Sequence, residues 1–310
     1  MQSKIDLKPN KFFFLILPIL LIRLLIKILC QGGWRYRLKP TDWKEKTKYL
    51  FAIGNGPSIK PQLEKYAAEI SKYDCICVNH FADSDFFGQV KPRFYLVIDP
   101  YFFAEDSHED YRAKVDKTYH CLNEKVSWNM TLFVPSRKVP SRKTKEFLKS
   151  KISNSKISTC IYNSAGISHR FEPFVFPLFK WNLACLTGHN VLVSAIYIGL
   201  VIGYKNVIVL GGDYSWLESM SVDQDNNLLC STKAHFYGSE TEPWYSSYRK
   251  DQISRVDSVL YLLSLSFRGH VLLNSFAIYM GSEVKNASAY SWVDAYKRIS
   301  LQEILAISKI

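Results

Sequence analysis

The chain has 310 residues, of which 47% are hydrophobic and 15% aromatic, so it can bury a full core and is not intrinsically disordered. Its formal net charge of +12 indicates an anionic partner, which could be nucleic acid, an acidic membrane surface or a phosphorylated substrate. No nucleic-acid recognition motif accompanies the charge, so we expect no nucleic-acid partner.

The first thirty residues contain an apolar segment. Residues 12–22 form an unbroken apolar run, and Arg23 and Lys27 follow it four positions apart. The segment is close to the roughly 20 residues that span a bilayer. Its basic and aromatic flanks are typical of an interfacial or partly inserted helix on an anionic leaflet. We predict a membrane-associating segment over residues 1–40, with a cleaved signal peptide and a buried soluble helix as alternatives.

Seven cysteines are present, and their spacing does not match a disulfide framework. This pattern predicts reduced thiols in a cytoplasmic protein. Together with the membrane segment, it places the remaining domain, residues 41–310, on the cytoplasmic face of the inner (plasma) membrane.

A glycine turn follows the first predicted strand. Apolar residues 49–53 end in Gly54, Asn55, Gly56, Pro57 and Ser58, and residues 59–70 have helical spacing. Glycine allows the backbone to approach a ligand closely, and the free N–H groups of a helix's first turn attract an anion. We therefore expect a phosphate-bearing ligand here, with an ordinary tight turn as the alternative.

Further apolar runs alternate with helical stretches along the chain. We predict strands at residues 75–79, 93–98, 130–134, 159–162, 206–210 and 270–273, and helices at 190–202 and 253–267. This order indicates an α/β fold with a largely parallel sheet, in which ligands bind beyond the carboxyl ends of the strands. Polar residues and glycines follow several of these runs: Asn79, Asp99, Gly212, Asp213, Asn274 and Ser275.

Two other regions are distinctive. Residues 136–156 are rich in lysine and arginine, which fits a solvated helix face or a second contact with anionic lipid or a phosphorylated acceptor. Residues 213–245 form a long polar and aromatic insert, and we expect a lid over a ligand at about residues 214–249. His235 lies in this insert and is the predicted general base, because histidine titrates near neutral pH. His189 is the second choice, with capping of the following helix as its more ordinary role.

Taken together, these residues resemble glycosyltransferase family 42, the bacterial sialyltransferases that use CMP-sialic acid, and related bacterial surface-glycan glycosyltransferases. The resemblance covers about residues 48–280. The matching motifs are Gly54 to Ser58, Asn79-His80-Phe81, Asp99-Pro100, Gly203-Tyr204-Lys205, Gly211-Gly212-Asp213 and Asn274-Ser275.

The resemblance implies a Rossmann-like, GT-A-variant-like sheet and an inverting, membrane-associated glycosyltransferase. The donor would be CMP-sialic acid or a related CMP-sugar, and the acceptor a cell-surface glycan or glycolipid such as lipopolysaccharide or capsule. The partners would thus be the nucleotide-sugar donor, this acceptor and an anionic membrane surface, with a homo-oligomer as a further possibility.

The resemblance also implies roles for individual residues. The donor phosphate or ribose would contact Gly54, Asn55, Gly56 and Ser58, whereas Asn79 and Asp99 would orient the sugar or nucleoside. Gly212 and Asp213 would form the turn that anchors the lid, and Asn274 and Ser275 would hold the base or ribose. His235 would act as the base, and Tyr214 and Tyr237 would donate hydrogen bonds to the departing phosphate.

Metal dependence separates the alternatives. Asp223-Gln224-Asp225 matches the Asp-x-Asp pattern that holds a divalent metal on a donor diphosphate, although Asn226 and Asn227 favour a plain turn. A CMP-type donor requires no metal, and we expect no cofactor. The alternatives are a metal-dependent transferase that uses a nucleoside diphosphate sugar, a pterin diphosphokinase-like enzyme, and a non-catalytic protein that binds the membrane surface.

Overall fold

The computed structural model describes residues 34–103, 109–139, 141–167, 172–186, 189–235, 238–246 and 249–307, together with Pro18, Ile19, Ile22, Leu25, Ile26 and residues 28–30. The strands, in chain order, are β1 (Leu50–Ile53), β2 (Asp74–Val78), β3 (Phe94–Leu96), β4 (Met130–Pro135), β5 (Ile157–Tyr162), β6 (Gly166–Ile167), β7 (Cys185–Leu186), β8 (Asn206–Leu210), β9 (Met220–Val222), β10 (Leu229–His235), β11 (Gly238–Pro243), β12 (Tyr245–Ser246), β13 (Arg249–Ile253), β14 (Glu283–Asn286) and β15 (Lys297–Arg298). The helices are α1 (Ile59–Ile70), α2 (Phe87–Val90), α3 (Glu109–Lys125), α4 (Arg142–Lys151), α5 (Glu172–Lys180), α6 (Val191–Val201), α7 (Val256–Tyr279) and α8 (Leu301–Ile307).

Eight strands form one sheet in the order β15-β14-β8-β1-β2-β3-β4-β5, and every neighbouring pair in it is parallel. The predicted α/β fold, with a Rossmann-like parallel sheet flanked by helices, is confirmed. From β1 the chain proceeds outward through β2, β3, β4 and β5, and then returns to the other side of β1 as β8. The direction of strand order therefore reverses between β1 and β8, which is where open α/β sheets bind ligands.

Helices cover both faces of the sheet. In β1, Leu50 and Ala52 face a core layer formed with α5, α6 and α7, whereas Phe51 and Ile53 face a second layer formed with α1, α3 and α8. Because β1 is buried on both faces, its sequence is a continuous apolar run and not an alternating one. The same burial makes α6 apolar all round, as predicted for residues 190–202.

The prediction of a strand at residues 270–273 is wrong, because these residues lie inside α7. Residues 269, 270, 272, 273, 276 and 277 are buried, and this is the three-and-four spacing of a helix. Gly269 does not end the helix; a Cβ there would lie 3.2 Å from Val193, so the glycine allows α7 to pack closely on α6. The helix ends before Gly281, which has a φ of +60°.

The last strands of the main sheet are β14 and β15. The sequence Glu283-Val284-Lys285-Asn286 carries two charged side chains, so it has no apolar run. Only Val284 and Asn286 are buried, because β14 lies near the edge of the sheet and one of its faces is open to solvent.

The insert predicted as a lid is built from antiparallel strands. β9, β10 and β11 form a three-stranded sheet, and β12 pairs with β13. The sequence suggested a loop because these strands carry many polar side chains. Closure of this insert over a ligand stays a prediction.

The segment predicted to associate with a membrane lies largely outside the described residues, and those of its residues 18–30 that are described are helical. Judged by length and composition, α7 is long and apolar enough to cross a membrane, with a third of its most apolar window buried in the protein. Core helices of soluble proteins also meet this criterion. All seven cysteines are free, as predicted.

Candidate active site

A cavity of about 370 Å³ opens at the carboxyl edge of the sheet, where the strand order reverses. Its walls come from the turns that follow β1, β2, β3 and β8, and from the first turn of α6. The lining residues are Gly54, Asn55, Gly56, Pro57, Val78, Asn79, Ile98, Asp99, His189, Asn190, Val191, Leu192, Gly211, Asp213, Tyr214, Ser215 and Trp216. Most of the predicted donor-binding residues therefore meet in one place.

The two glycine turns pack directly against each other. A Cβ on Gly54 would lie 2.5 Å from the carbonyl oxygen of Gly211, and a Cβ on Gly56 would lie 2.3 Å from Asp213 Oδ1. The φ of Gly211 is +61°, a conformation that favours glycine. These positions therefore require glycine because the turns after β1 and β8 approach each other so closely, whether or not a ligand is bound.

Asp213 occupies the position that the sequence assigned to a phosphate. Its Oδ2 accepts a hydrogen bond from the Ser58 N–H at 2.8 Å, and its Oδ1 accepts one from Ser58 Oγ at 2.7 Å. The N–H groups of Gly56 and Ile59 donate to protein carbonyl groups. The prediction that free N–H groups at the start of α1 face an anion is wrong, because a carboxylate of the same chain already stabilises this helix end.

A different helix start faces the cavity. The first residues of α6, Val191 and Leu192, line it together with Asn190, whose side chain caps the helix by accepting from the Leu192 N–H at 2.8 Å. The preceding His189 also lines the cavity. Burial lowers the pKa of His189, and the charge of Arg137 lowers it further, so the guanidinium group acts on this part of the site. The helix dipole and Arg137 together favour an anion here.

Asp99 faces the cavity at the end of β3. Its Oδ2 accepts hydrogen bonds from Asn79 Nδ2 at 2.6 Å and from the Tyr101 hydroxyl at 2.9 Å. Burial raises the pKa of Asp99, and these two hydrogen bonds and the charge of Lys138 oppose that shift. Asn79 adopts a φ of +46°, which places its amide against Asp99. The result is a carboxylate whose pKa lies closer to neutrality than usual.

His80 supports this cluster from behind. Its ring is stacked on Tyr101, with 5.9 Å between the ring centroids, and its Nδ1 lies 2.8 Å from Thr118 Oγ1. Burial lowers the pKa of His80, so the neutral imidazole is favoured at pH 7. The stacking holds Tyr101 in position to donate to Asp99.

The hydroxyl group of Tyr214 is hydrogen-bonded to a buried side chain. The ring of Tyr214 lines the cavity, but its hydroxyl lies 2.7 Å from His270 Nε2, and His270 Nδ1 lies 2.9 Å from the Tyr296 hydroxyl. The expectation that Tyr214 donates to a departing phosphate is therefore not supported in this conformation. Tyr214, with a φ of +56°, instead fixes the turn after β8 to α7.

This buried histidine should make stability depend on pH. Burial lowers the pKa of His270 to about 3, whereas an imidazole in the unfolded chain titrates near ~6.5. Between these values only the unfolded chain binds the proton, so the free energy of unfolding rises with pH and reaches its full value above ~6.5. At pH 5 the loss relative to pH 7.5 should be about 2 kcal/mol from this group alone.

The variant His270→Gln should show a shallower pH dependence, because glutamine does not titrate. Urea unfolding of both proteins from pH 5 to pH 7.5 measures the two slopes. Glutamine also alters the contacts with the tyrosines, so the comparison uses the slope and not the absolute stability. Equal slopes would show that His270 is not the group responsible.

The nucleoside-binding prediction for Asn274 and Ser275 is wrong in its placement. Both residues lie inside α7, and neither lines the cavity. Their place after a strand at the carboxyl edge is taken by Asn286 and Ser288. Ser288 Oγ accepts from the Gly212 N–H at 3.0 Å, and Asn286 Oδ1 accepts from the Ser288 N–H at 3.1 Å. Gly212 is therefore held by the loop after β14.

The same loop is tied to the start of the predicted lid. Glu218 accepts hydrogen bonds from the Tyr290 hydroxyl and from Trp292 Nε1, the latter at 2.8 Å. The Trp292 N–H donates to the Asp213 carbonyl oxygen at 2.9 Å. These contacts fix residues 215–219, whose Ser215 and Trp216 form one wall of the cavity.

Two predicted catalytic residues belong to the hairpin of β10 and β11. His235 ends β10 and is paired with Gly238. Tyr237 lies outside the described residues. The assignment of His235 as a base therefore stays a prediction.

The Asp-x-Asp sequence forms a turn between β9 and β10. Asp223 Oδ1 accepts from the Asp225 N–H at 2.9 Å, and Asp223 Oδ2 accepts from Asn226 Nδ2 at 2.9 Å. The predicted turn is present, and the absence of a metal from it stays a prediction. Across the described ranges, no group of three or more His, Cys, Asp or Glu side chains could hold a metal ion.

Sequence reasoning missed Arg137, Lys138 and Tyr101. Arg137 and Lys138 were grouped with a basic stretch, although they directly follow β4 and so reach the same edge of the sheet as Asp99. Their position directly after an apolar strand is the feature of the sequence that could have placed them at the site. Tyr101 follows Asp99-Pro100, where the proline begins a 3₁₀ turn that brings the ring back beside Asp99.

No protein-family model matches the chain, and no curated protein matches it. Among solved structures the chain is similar to one described as "Structure of MAf glycosyltransferase from Magnetospirillum magneticum AMB-1", with 12% sequence identity and a TM-score of 0.48. The match covers 89% of this chain and 38% of that one, so the chain spans well under half the length of the protein it resembles.

Proposed function

We propose that this chain is a glycosyltransferase that binds a nucleotide-sugar donor in the cavity at the strand-order reversal. The observation that carries the proposal is the meeting, around one cavity, of the turns after four parallel strands with the capped start of α6. A site of this kind suits a ligand with a nucleoside, an anionic group and a further polar part. The motif Gly54 to Ser58 favours CMP-sialic acid or a related CMP-sugar as the donor.

In this proposal the donor phosphate lies at the start of α6, not at the start of α1. The dipole of α6 and the nearby Arg137 both favour negative charge there. Lys138, near Asp99, adds a second cation. These groups stabilise the leaving phosphate as its charge grows during transfer.

Asp99 is the proposed base. The acceptor hydroxyl gives its proton to Asp99 while its oxygen forms a bond to the anomeric carbon of the sugar, and the bond from that carbon to the phosphate oxygen breaks. The electron pair of the broken bond leaves with the nucleotide. The raised pKa of Asp99 suits this role, because a base works best when its pKa approaches the working pH.

Ligand-dependent thermal unfolding tests the donor assignment. CMP and CMP-sugars should raise the melting temperature, because a ligand that binds only the folded chain stabilises it by mass action. UDP, GDP and their sugars are measured in parallel, with and without EDTA. A stabilisation by UDP or GDP sugars that EDTA abolishes would replace the CMP assignment by a metal-dependent one, and no shift with any nucleotide would contradict the proposal.

A pair of arginine variants locates the anion. Arg137→Gln should weaken nucleotide binding by roughly tenfold to a hundredfold, which is the loss of one hydrogen bond to a charged group. The control is Arg142→Gln, because Arg142 is exposed on α4 and forms an ion pair with Glu146. Equal effects of the two variants on the dissociation constant would show that the phosphate does not bind beside Arg137.

A further inference from the structure

We infer that a surface formed by Trp34, Arg35, Arg37, Lys180 and Trp181 docks on an anionic lipid bilayer. We call these five residues the tryptophan platform. The inference does not depend on the proposed transferase activity. It rests on an apolar and cationic surface that the contacts of the chain hold in place.

The platform is held together by Arg37. The guanidinium group of Arg37 lies 5.8 Å from the ring centroid of Trp34, and its Nε donates to the Trp181 carbonyl oxygen at 2.8 Å. One residue later, the Leu38 N–H donates to Asn182 Oδ1 at 3.0 Å. These bonds join two segments that are far apart in the sequence, so both tryptophans are presented by one rigid support.

Both indole rings remain open to solvent. Trp34 is 63% exposed and Trp181 is 54% exposed, although each is large enough to stabilise a core if it were buried. Tryptophans at this level of exposure are typical of membrane interfaces, where the ring lies among the headgroups. The arginine over Trp34 and the exposed Lys180 beside Trp181 supply the matching positive charge.

The described part of the N-terminal helix extends the apolar surface. Its side chains at positions 19, 22, 25, 26 and 29 are all more than half exposed, and their three-and-four spacing puts them on one face. Ile28, in contrast, is buried in the same core layer as Phe176 and Phe179 of α5. The helix is therefore packed on the domain through Ile28, whereas the side chains at positions 19, 22, 25, 26 and 29 stay uncovered.

Positive charge surrounds this surface. Arg35 lies over the Tyr36 ring, and Lys145 of α4 donates to the Tyr36 hydroxyl at 2.7 Å, which brings the basic helix α4 beside the platform. Each basic residue near an anionic bilayer adds to the electrostatic attraction. A second copy of the chain is a poorer occupant, because a two-fold interface would set this basic surface against itself.

Quenching of tryptophan fluorescence by brominated lipids tests the inference with the full chain. The protein is reconstituted with vesicles of brominated phosphatidylcholine, either alone or with phosphatidylglycerol at about a third of the lipid. The variant Trp34→Phe with Trp181→Phe should lose most of the quenchable fluorescence. The control, Trp216→Phe with Trp292→Phe, removes two tryptophans of 40% and 43% exposure that contact the cavity loops. This control should keep most of the quenchable fluorescence.

A charge-matched pair tests the role of the basic residues. Arg35→Gln with Lys180→Gln should reduce the extra quenching that phosphatidylglycerol causes by several fold, whereas Lys65→Gln with Lys72→Gln on the α1 side should not. Equal reduction in both pairs would show that net charge alone drives binding and would overturn the inference. Unchanged quenching in the double tryptophan variant would overturn it as well.

Discussion

Replacing Asp99 with asparagine should lower kcat by about 10²- to 10⁴-fold while nucleotide binding stays within a few fold of normal. Asparagine keeps the size of the side chain and can still contact Asn79 and Tyr101, but it cannot accept the acceptor's proton. The loss should therefore fall on kcat and not on the donor's dissociation constant. Steady-state kinetics and the ligand-dependent melting temperature measure the two quantities separately.

The control for this prediction is Asp116→Asn. Asp116 lies on α3, and its carboxylate pairs with Lys151 at the protein surface. The same chemical change there should leave kcat unchanged within about twofold, since a surface ion pair contributes little. A similar loss of kcat in both variants would point to a general effect on folding.

The pH profile adds a second readout. A base must be deprotonated to act, so the rate should fall as the pH decreases through the pKa of Asp99, which burial raises above the usual aspartate value. The Asp99→Asn variant should lack this acidic limb.

His235→Ala distinguishes the two candidate bases. If Asp99 is the base, His235→Ala should retain most of kcat. If His235→Ala instead abolishes turnover while Asp99→Asn leaves it intact, the role belongs to His235, and the Asp99 assignment is wrong.

Replacing Gly56 with alanine should destabilise the protein by about 2–4 kcal/mol and abolish nucleotide stabilisation. The new Cβ would lie 2.3 Å from Asp213 Oδ1 and 2.7 Å from the Gly211 carbonyl oxygen, so the turns after β1 and β8 must move apart. Their separation would break the bonds between Asp213 and Ser58. Urea unfolding measures the loss in stability, and nucleotide-dependent melting measures the loss of the site.

Gly88→Ala provides the matched control. Gly88 lies in α2, and a Cβ there would meet no atom within 4 Å. Alanine is favoured over glycine in a helix, so this variant should be unchanged or more stable by up to about 1 kcal/mol. Destabilisation of the same size in both variants would contradict the role assigned to the contact between the glycine turns.

The sequence predicted the parallel sheet and most of its strands because these strands are buried on both faces. Burial on both faces requires a continuous apolar run, and such a run can be recognised in the sequence without knowledge of the neighbouring strands, as in β1 and β8. Helix α1 was predicted with its observed bounds, because its buried residues Ile59, Leu63, Ala67 and Ile70 follow helical spacing. The clustering of Asn79, Asp99 and Asp213 followed from the parallel sheet, since the carboxyl ends of its strands share one edge.

Local patterns failed where an element is stabilised by only one face or by a distant partner. β14 is half exposed, so its charged residues concealed a strand. The helix was predicted to end at residue 267, whereas α7 continues through Gly269, which packs on α6. Asn274 and Ser275 were assigned to the site because a strand, and not a helix, was predicted directly before them.

By itself the sequence determined the α/β architecture, the edge of the sheet that carries the site, and several of the groups there, because strands that are buried on both faces leave continuous apolar runs in the sequence. The tertiary structure alone decided which of those groups are free. Asp213 accepts the hydrogen bond from the Ser58 N–H at the start of α1, and His270 is hydrogen-bonded to the hydroxyl of Tyr214. In contrast, the start of α6 and Asp99 face the cavity. Hydrogen-bond partners come from positions far apart in the chain, and only folding determines which donor meets which acceptor.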